Sequence, residues 1–403
     1  MEHKDLATVA LDTGRSGRFV GDVNAHIHLP PNFSAFQNVD EVVRKASEAE
    51  LCLAGISNYY DHSRYGDWAD LFLGSDIFPL MGTEIVSTDE VMFAANWRGN
   101  DSNPGRVYMC GLGTSGILSP SQKAADVLLR IRTKDEARMR DMIVRINTYI
   151  NGCGVGVVLN EKSMKETVAA ACGCSVGEVV LQERHLAERL QAELFDAYSL
   201  AGLPNALAAM GVRVNDPTFA YAVQGAIRSS LLKAGMPCYV KEEFVLTEAA
   251  VELILELRGI PCYPLLLDGA SPLTELERKI GALIDQLRDW NIHMVQLITN
   301  RNKRRMAEFY ARGLRTAGLA VTIGTEHNTT EMLPLVPECK GGVPLGGKLR
   351  SLGWEGACVA AAHQVLGMRG EPGFVDPEGN VVNSIEDMAQ IGANILSALA
   401  SNR

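Results

Sequence analysis

A chain of 403 residues with 47% hydrophobic and 21% charged side chains has the composition of a soluble globular enzyme, long enough for two domains or one barrel with insertions. Its net charge of −10 is spread without a basic stripe, which argues against general nucleic-acid binding, and no apolar run approaches the ~18 residues of a membrane span. Nine cysteines, an odd number without a Cys-x-x-Cys pair, point to reduced thiols in the cytoplasm rather than a disulfide framework.

The first 20 or so residues are polar and read as a loose lead-in. A strand is expected over 19–28, a loop over 30–37, and a helix from Asn38 to about Ala49, with Asn38 as N-cap and Glu41 three residues later. Residues 51–57 read as a buried parallel strand, 70–73 as the remnant of a helix, and 77–85 as the next strand. Two further strands are expected at 91–97 and 106–112. Helices follow at 121–131 and 135–150, and helical or mixed segments continue to about residue 236, including a strongly periodic one at 182–195. Then come helix 246–259 with a glycine stop, strand 260–267, helix 272–290, strand 293–299, helix 303–317 and strand 319–324. The tail is loop-rich and then helical at 354–366 and 385–400. Strand and helix alternate at βα spacing, which implies parallel pairing through right-handed crossovers.

The candidate chemistry begins at His26-Ile27-His28. Side chains on a strand alternate faces, so two imidazoles two residues apart converge on one point, as ligands of a divalent ion do. Met81-Gly-Thr-Glu-Ile85 and Val321-Thr-Ile-Gly-Thr-Glu-His-Asn-Thr329 are β-type runs that reach a glycine and then a carboxylate. His26, His28, Glu84 and Glu326 are therefore the expected four-ligand metal set. The segment Asn58-Tyr-Tyr-Asp-His-Ser-Arg-Tyr65 follows a strand, where binding residues collect. Asp61 and His327 are the candidates for proton transfer, and Arg64 for clamping a phosphate or carboxylate. Asn58, His62, Tyr108 and Asp268 are further candidates near the same mouth, while His185 reads as a packing or capping residue on a helix.

In this order, the segments resemble the PHP (polymerase and histidinol phosphatase) superfamily of metal-dependent phosphoesterases. Asp22-Val-Asn-Ala-His-Ile-His28 is similar to the family's opening, and Leu53-Ala-Gly-Ile-Ser-Asn-Tyr59 occupies the strand that ends there in Thr-Asp-His. Met81–Ile85 resembles a Gly-x-Glu segment, and Gly318–Thr329 the closing Gly-Ser-Asp-x-His-Thr. The resemblance implies an α/β fold, a distorted (β/α)7 TIM-like barrel with metal at the C-terminal strand ends. The barrel would comprise residues 1–118 and 240–335, with a helical insertion at 119–239 capping the mouth and a C-terminal helical extension at 336–403. The family's remaining metal-ligand positions fall on Ser34, Tyr59, Tyr108, about Leu265 and Asn328, so one tightly bound zinc, manganese or iron ion is expected rather than three. The implied activity is hydrolysis of a phosphate ester of a small metabolite or nucleotide by metal-activated water. An amidohydrolase, lactonase or sugar-acid isomerase barrel also uses His-x-His with a late carboxylate. A non-catalytic metabolite-binding relative is the third reading, favoured by the lost histidines. Homo-oligomerisation stays open.

Overall fold

The structure is a computed structural model, described for residues 2–9, 11 and 19–400. Part of the expected lead-in lies outside the described residues. The described part is not loose: His3–Thr8 forms a 3-10 turn, and its Leu6 is fully buried.

Strand β1 (Asp22–Ile27) leads through α1 (Val39–Glu48) to β2 (Leu51–Ile56), and α2 (Tyr65–Leu73) leads to β3 (Phe78–Thr88). Asn38 caps α1 as expected, its side chain accepting from the Glu41 amide. Both faces of β2 are buried, as its unbroken apolar run requires. Residues 91–97, expected as a strand, instead carry the short helix α3 (Glu90–Ala94), started by the Asp89 side chain on the Met92 amide. The chain then turns back as β4 (Arg106–Leu112), antiparallel to β3. This corrects the all-parallel expectation: the connection stays at one end of the barrel and never crosses it.

The insertion follows. Helices expected at 121–131 and 135–150 are one helix, α4 (Gln122–Gly152), because no proline or glycine interrupts that run. α5 (Glu161–Cys172), α6 (Glu183–Ala197), α7 (Leu203–Ala209), α8 (Ala220–Ile227) and a π-helical turn at Arg228–Leu232 complete it. They share a core of their own, with Met142, Ile146, Leu190, Leu194 and Leu231 fully buried.

The barrel resumes with a two-residue strand β5 (Val245–Leu246) beside β3, α9 (Thr247–Glu256) and β6 (Ile260–Leu265). The helix expected at 272–290 shortens to α10 (Ile280–Asp289), because the preceding residues form a loop. Its buried Glu277 carboxylate accepts the Leu266 and Leu267 amides. β7 (Met294–Ile298), α11 (Arg304–Thr316) and β8 (Ala320–Gly324) follow. The sheet runs β1-β2-β3-β4-β6-β7-β8, and a parallel bridge between Ile27 and Glu326 nearly closes these seven strands into a barrel surrounded by helices.

The helix expected at 354–366 extends to α12 (Gly347–Arg369), and α13 (Ile385–Ala400) packs across it. Ala357 through Ala362 are fully buried, so α12 is part of the barrel's outer layer and not a surface appendage. Among the described residues no helix is long and apolar enough to cross a membrane.

Candidate metal centre

His26 lies within β1 and His28 just beyond its end, so strand alternation turns both rings to the same face. Gly324 at the end of β8 leaves room for this: a Cβ there would sit 2.4 Å from the Cβ of His26. Glu84 is not at a strand end but in the middle of the β3–β4 ladder, opposite Cys110. It still stands at the mouth, because β2 ends at Ile56 opposite Met81 and the β3–β4 hairpin runs on past that rim.

Three donor atoms converge here. His26 Nε2 and His28 Nε2 are 3.2 Å apart, and Glu84 Oε2 is 3.2 Å from the first and 3.1 Å from the second. Donors about 2.0–2.2 Å from one ion are about 2.8–3.6 Å apart across octahedral to tetrahedral angles, so this triangle fits a divalent cation. Glu84 Oε2 is buried and within ion-pairing distance of both rings, yet it has no hydrogen bond of good geometry. Among the described residues this is the one cluster of three or more His, Cys, Asp or Glu side chains with ligand spacing.

The surrounding groups orient the triangle. Gln296 Nε2 donates to the Ala25 carbonyl at 3.1 Å, which leaves its Oε1 facing His26 Nδ1 at 2.6 Å. The proton of His26 therefore belongs on Nδ1, and Nε2 keeps its lone pair. The Tyr59 hydroxyl donates to Glu84 Oε1 at 2.8 Å, and its ring stacks on His28 with centroids 5.1 Å apart. Among the described residues His28 Nδ1 has no hydrogen-bond partner. Burial alone would raise the Glu84 pKa, but the two imidazoles outweigh it and hold the carboxyl well below the ordinary range. At His28 burial prevails and lowers the pKa, whereas at His26 Glu84 outweighs burial and raises it.

Glu326, expected as the fourth ligand, stands apart from the triangle. Arg301 draws its carboxylate into an ion pair, and Asn328 Nδ2 donates to it at 2.7 Å. Glu326 and His327 have φ of +67° and +54°, left-handed values that cost non-glycine residues about 1–3 kcal/mol each. The two twists leave Glu326 lining the cavity above the triangle and His327 outside it. His327 Nδ1 is 2.7 Å from Thr325 Oγ1, its Nε2 is 3.0 Å from the Leu333 carbonyl, and its ring stacks on Phe36. Burial pushes its pKa down to about 4. With both nitrogens engaged elsewhere, His327 is not placed to transfer a proton, contrary to expectation.

In the segment after β2, Tyr59 and Tyr60 line the cavity, whereas Asp61 and Arg64 do not. Asp61 pairs with Arg132 of α4, and Arg64 lies 3.3 Å from Asp67 and 3.9 Å from Glu178. Neither lines the cavity, so the roles expected of them in catalysis are corrected: both fasten the insertion to the barrel. His62 Nε2 is 3.0 Å from Thr83 Oγ1, Asn58 brackets the Leu29 backbone with two 2.7 Å hydrogen bonds, and Asp268 accepts the Lys303 amide. These three are structural. Tyr108 does line the cavity, its hydroxyl 3.2 Å from Arg106.

Sequence reasoning passed over Tyr59 and Gln296. Tyr59 registered only as a lost ligand. Gln296, a polar residue inside the apolar run Met294-Val-Gln-Leu-Ile298, was the available signal for a buried partner. The cavity measures about 520 Å³, and Gln182, Glu183, Arg184, Arg228 and Lys233 of the insertion line it together with His26 and Glu84. The insertion thus sits over the C-terminal mouth.

No family model matches the chain, and no curated protein sequence does. Solved structures do match. A candidate metal-dependent phosphoesterase from Bifidobacterium adolescentis aligns with a TM-score of 0.52 at 14% identity, covering 82% of this chain and 94% of its own. An amidohydrolase from Chromobacterium violaceum, solved with bound sulfate and no metal, aligns with a TM-score of 0.51 at 16% identity, covering 82% of this chain and 96% of its own. At such identities the likeness establishes one thing, a shared barrel fold.

Proposed function

We propose that this chain is a divalent-metal-dependent hydrolase whose ion is held by His26, His28 and Glu84, acting on a phosphate ester of a small metabolite or nucleotide. The observation that carries the reading is the triangle of donor atoms at the C-terminal mouth of the barrel, beneath a cavity, where barrel enzymes keep their chemistry. Both structural neighbours are described as hydrolases, which supports hydrolysis, and the PHP-like motifs support the phosphoester.

A zinc, manganese or iron ion there supplies Lewis acidity, polarising a phosphoryl oxygen and lowering the pKa of water. The chain's own residues prepare the place. Gln296 fixes the tautomer that makes His26 a ligand, and Tyr59 occupies one oxygen of Glu84 so that a single oxygen remains for the ion. Three protein ligands leave coordination positions open for water and substrate, as catalytic sites require. Tyr59 and Tyr108 stand where the family's further ligands would be, so the reading is of one ion.

Protein purified without chelator is expected to carry about one divalent ion per chain and to hydrolyse phosphoester model substrates once zinc or manganese is supplied. Glu84→Gln should lose both the ion and turnover while keeping its circular-dichroism spectrum. Turnover of amides but not phosphoesters would move the reading to an amidohydrolase. Absence of a bound ion under every metal tried would overturn it.

A further inference from the structure

Seven basic side chains line the cavity, and six of them have an acidic partner. Arg98 pairs with Glu275, Arg106 and Arg138 share Glu242, Arg228 and Lys233 share Glu183, and Arg301 pairs with Glu326. Arg184 is the exception: among the described residues it makes neither an ion pair nor a side-chain hydrogen bond. A guanidinium partly withdrawn from bulk water without a direct acidic partner is costly, and Arg184 is half-buried. Burial and the neighbouring charge of Arg228 push its pKa down to about 10, which leaves it cationic at neutral pH.

The fold nevertheless holds Arg184 in place. It is the second residue of α6, whose start is locked by a reciprocal capping box between Gln182 and His185. The Phe33 amide donates to Gln182 Oε1 at 2.6 Å, and the Phe33 ring meets His185 edge-on with centroids 5.1 Å apart. Phe33 belongs to the loop that leaves His28, so the segment that carries a metal-ligand candidate also pins the helix that carries the unpaired arginine. Arg184 also borders a second cavity of about 160 Å³, which shares Phe33 and Arg228 with the first. Its position is thus preorganised at a junction of two open spaces, half-buried, near the charge of Glu326 but without a direct ion-pair partner among the described residues.

We infer that Arg184 anchors a phosphate group of the bound ligand, so that the insertion binds substrate as well as enclosing the mouth. The guanidinium fork matches a tetrahedral oxyanion with two parallel hydrogen bonds, and this anion supplies the direct ion-pair partner that Arg184 lacks among the described residues. Calling that ligand a substrate rests on the hydrolase reading; the binding itself does not. A carboxylate could use the same fork, and the test separates the two.

Inorganic phosphate and acetate are titrated by calorimetry into the native protein and the Arg184→Gln and Arg184→Lys variants, at matched metal content. Arg184→Gln should bind phosphate about 10- to 100-fold more weakly, the scale of a lost charge-assisted contact. Arg184→Lys should keep part of the affinity. The rise in Tm that phosphate gives the native protein should vanish in Arg184→Gln. The ligand-free variant should melt no lower than the native protein, because no partner is lost. Equal phosphate affinity in all three proteins overturns the inference. So does phosphate binding that depends on the metal and ignores Arg184, or an Arg184 dependence seen for acetate alone. Failure of the native protein to hydrolyse phosphoesters would sink the phosphoesterase reading and leave an Arg184-dependent loss of phosphate binding intact.

Discussion

Gln296 shows how much a metal ligand owes to a residue that never touches the ion. Its carboxamide is fixed at one end by the Ala25 carbonyl and at the other by His26 Nδ1, all of it fully buried. Removing it frees the ring to change tautomer, since the other polar contact of Nδ1 among the described residues is Cys110 Sγ at 3.8 Å. Gln296→Leu, close in volume, should therefore keep the fold and weaken metal binding about 10- to 100-fold, the usual cost of losing a partner behind a ligand. Competition against a chromogenic chelator would measure this, and native affinity in the variant would remove the assignment. Glu326 teaches the opposite lesson. It has the chemistry of a ligand and the right place in the chain, but Arg301 lies closer than the imidazoles do, and an ion pair forms instead.

Among the elements, α12 is the clearest case of packing decided by the smallest side chain. A Cβ on Gly356 would stand 2.2 Å from the Val321 carbonyl oxygen of β8, and one on Gly392 of α13 would stand 2.0 Å from the Cys358 carbonyl oxygen. These contacts are with backbone, which cannot swing aside as a side chain can. Gly356→Ala is expected to destabilise the protein by about 1–3 kcal/mol despite alanine's better helix propensity, because overpacking against a strand outweighs it. A lower urea midpoint at unchanged slope would be the sign, and an unshifted midpoint would mean that the helix can slide. The reversed strand β4 matters to the site through its hairpin with β3, which carries Glu84 past the rim where β2 ends.

For the molecule as a whole, the insertion and barrel meet across a cavity crowded with paired charges. Glu183 at the start of α6 is the hub for Arg228 and Lys233. Burial alone would raise its pKa, but the two cations outweigh it and bring the carboxyl down to about 2, below the ordinary carboxylate range. A carboxyl depressed in the folded state contributes stability above its unfolded pKa, and that contribution is lost as pH falls towards the folded value. The contribution of Glu183 should thus be whole above about pH 5 and disappear between about 4.5 and 2. Urea unfolding of the native protein and Glu183→Gln across that range would test this. The two stability curves should converge with acid, and a constant gap would show that the ion pairs do not carry the effect.

The sequence by itself determined the alternation of strand and helix and the convergence of His26 and His28, which follow from local periodicity that a strand or helix obeys whatever surrounds it. Glu84 was legible from a β-type run that reaches a glycine and then a carboxylate, and the barrel class from the order of motifs that resembles the PHP superfamily. Tertiary structure alone decided that β4 runs backwards, that Glu326 answers to Arg301, that His327 turns away, and that Gln296, 270 residues from His26, holds its ring. It also decided that Arg184, in a helix far along the chain from the histidines, faces their cavity without an ion-pair partner among the described residues. Strand direction depends on where a connection returns, and charge pairing depends on distance in space, so neither is written in the spacing of residues along the chain.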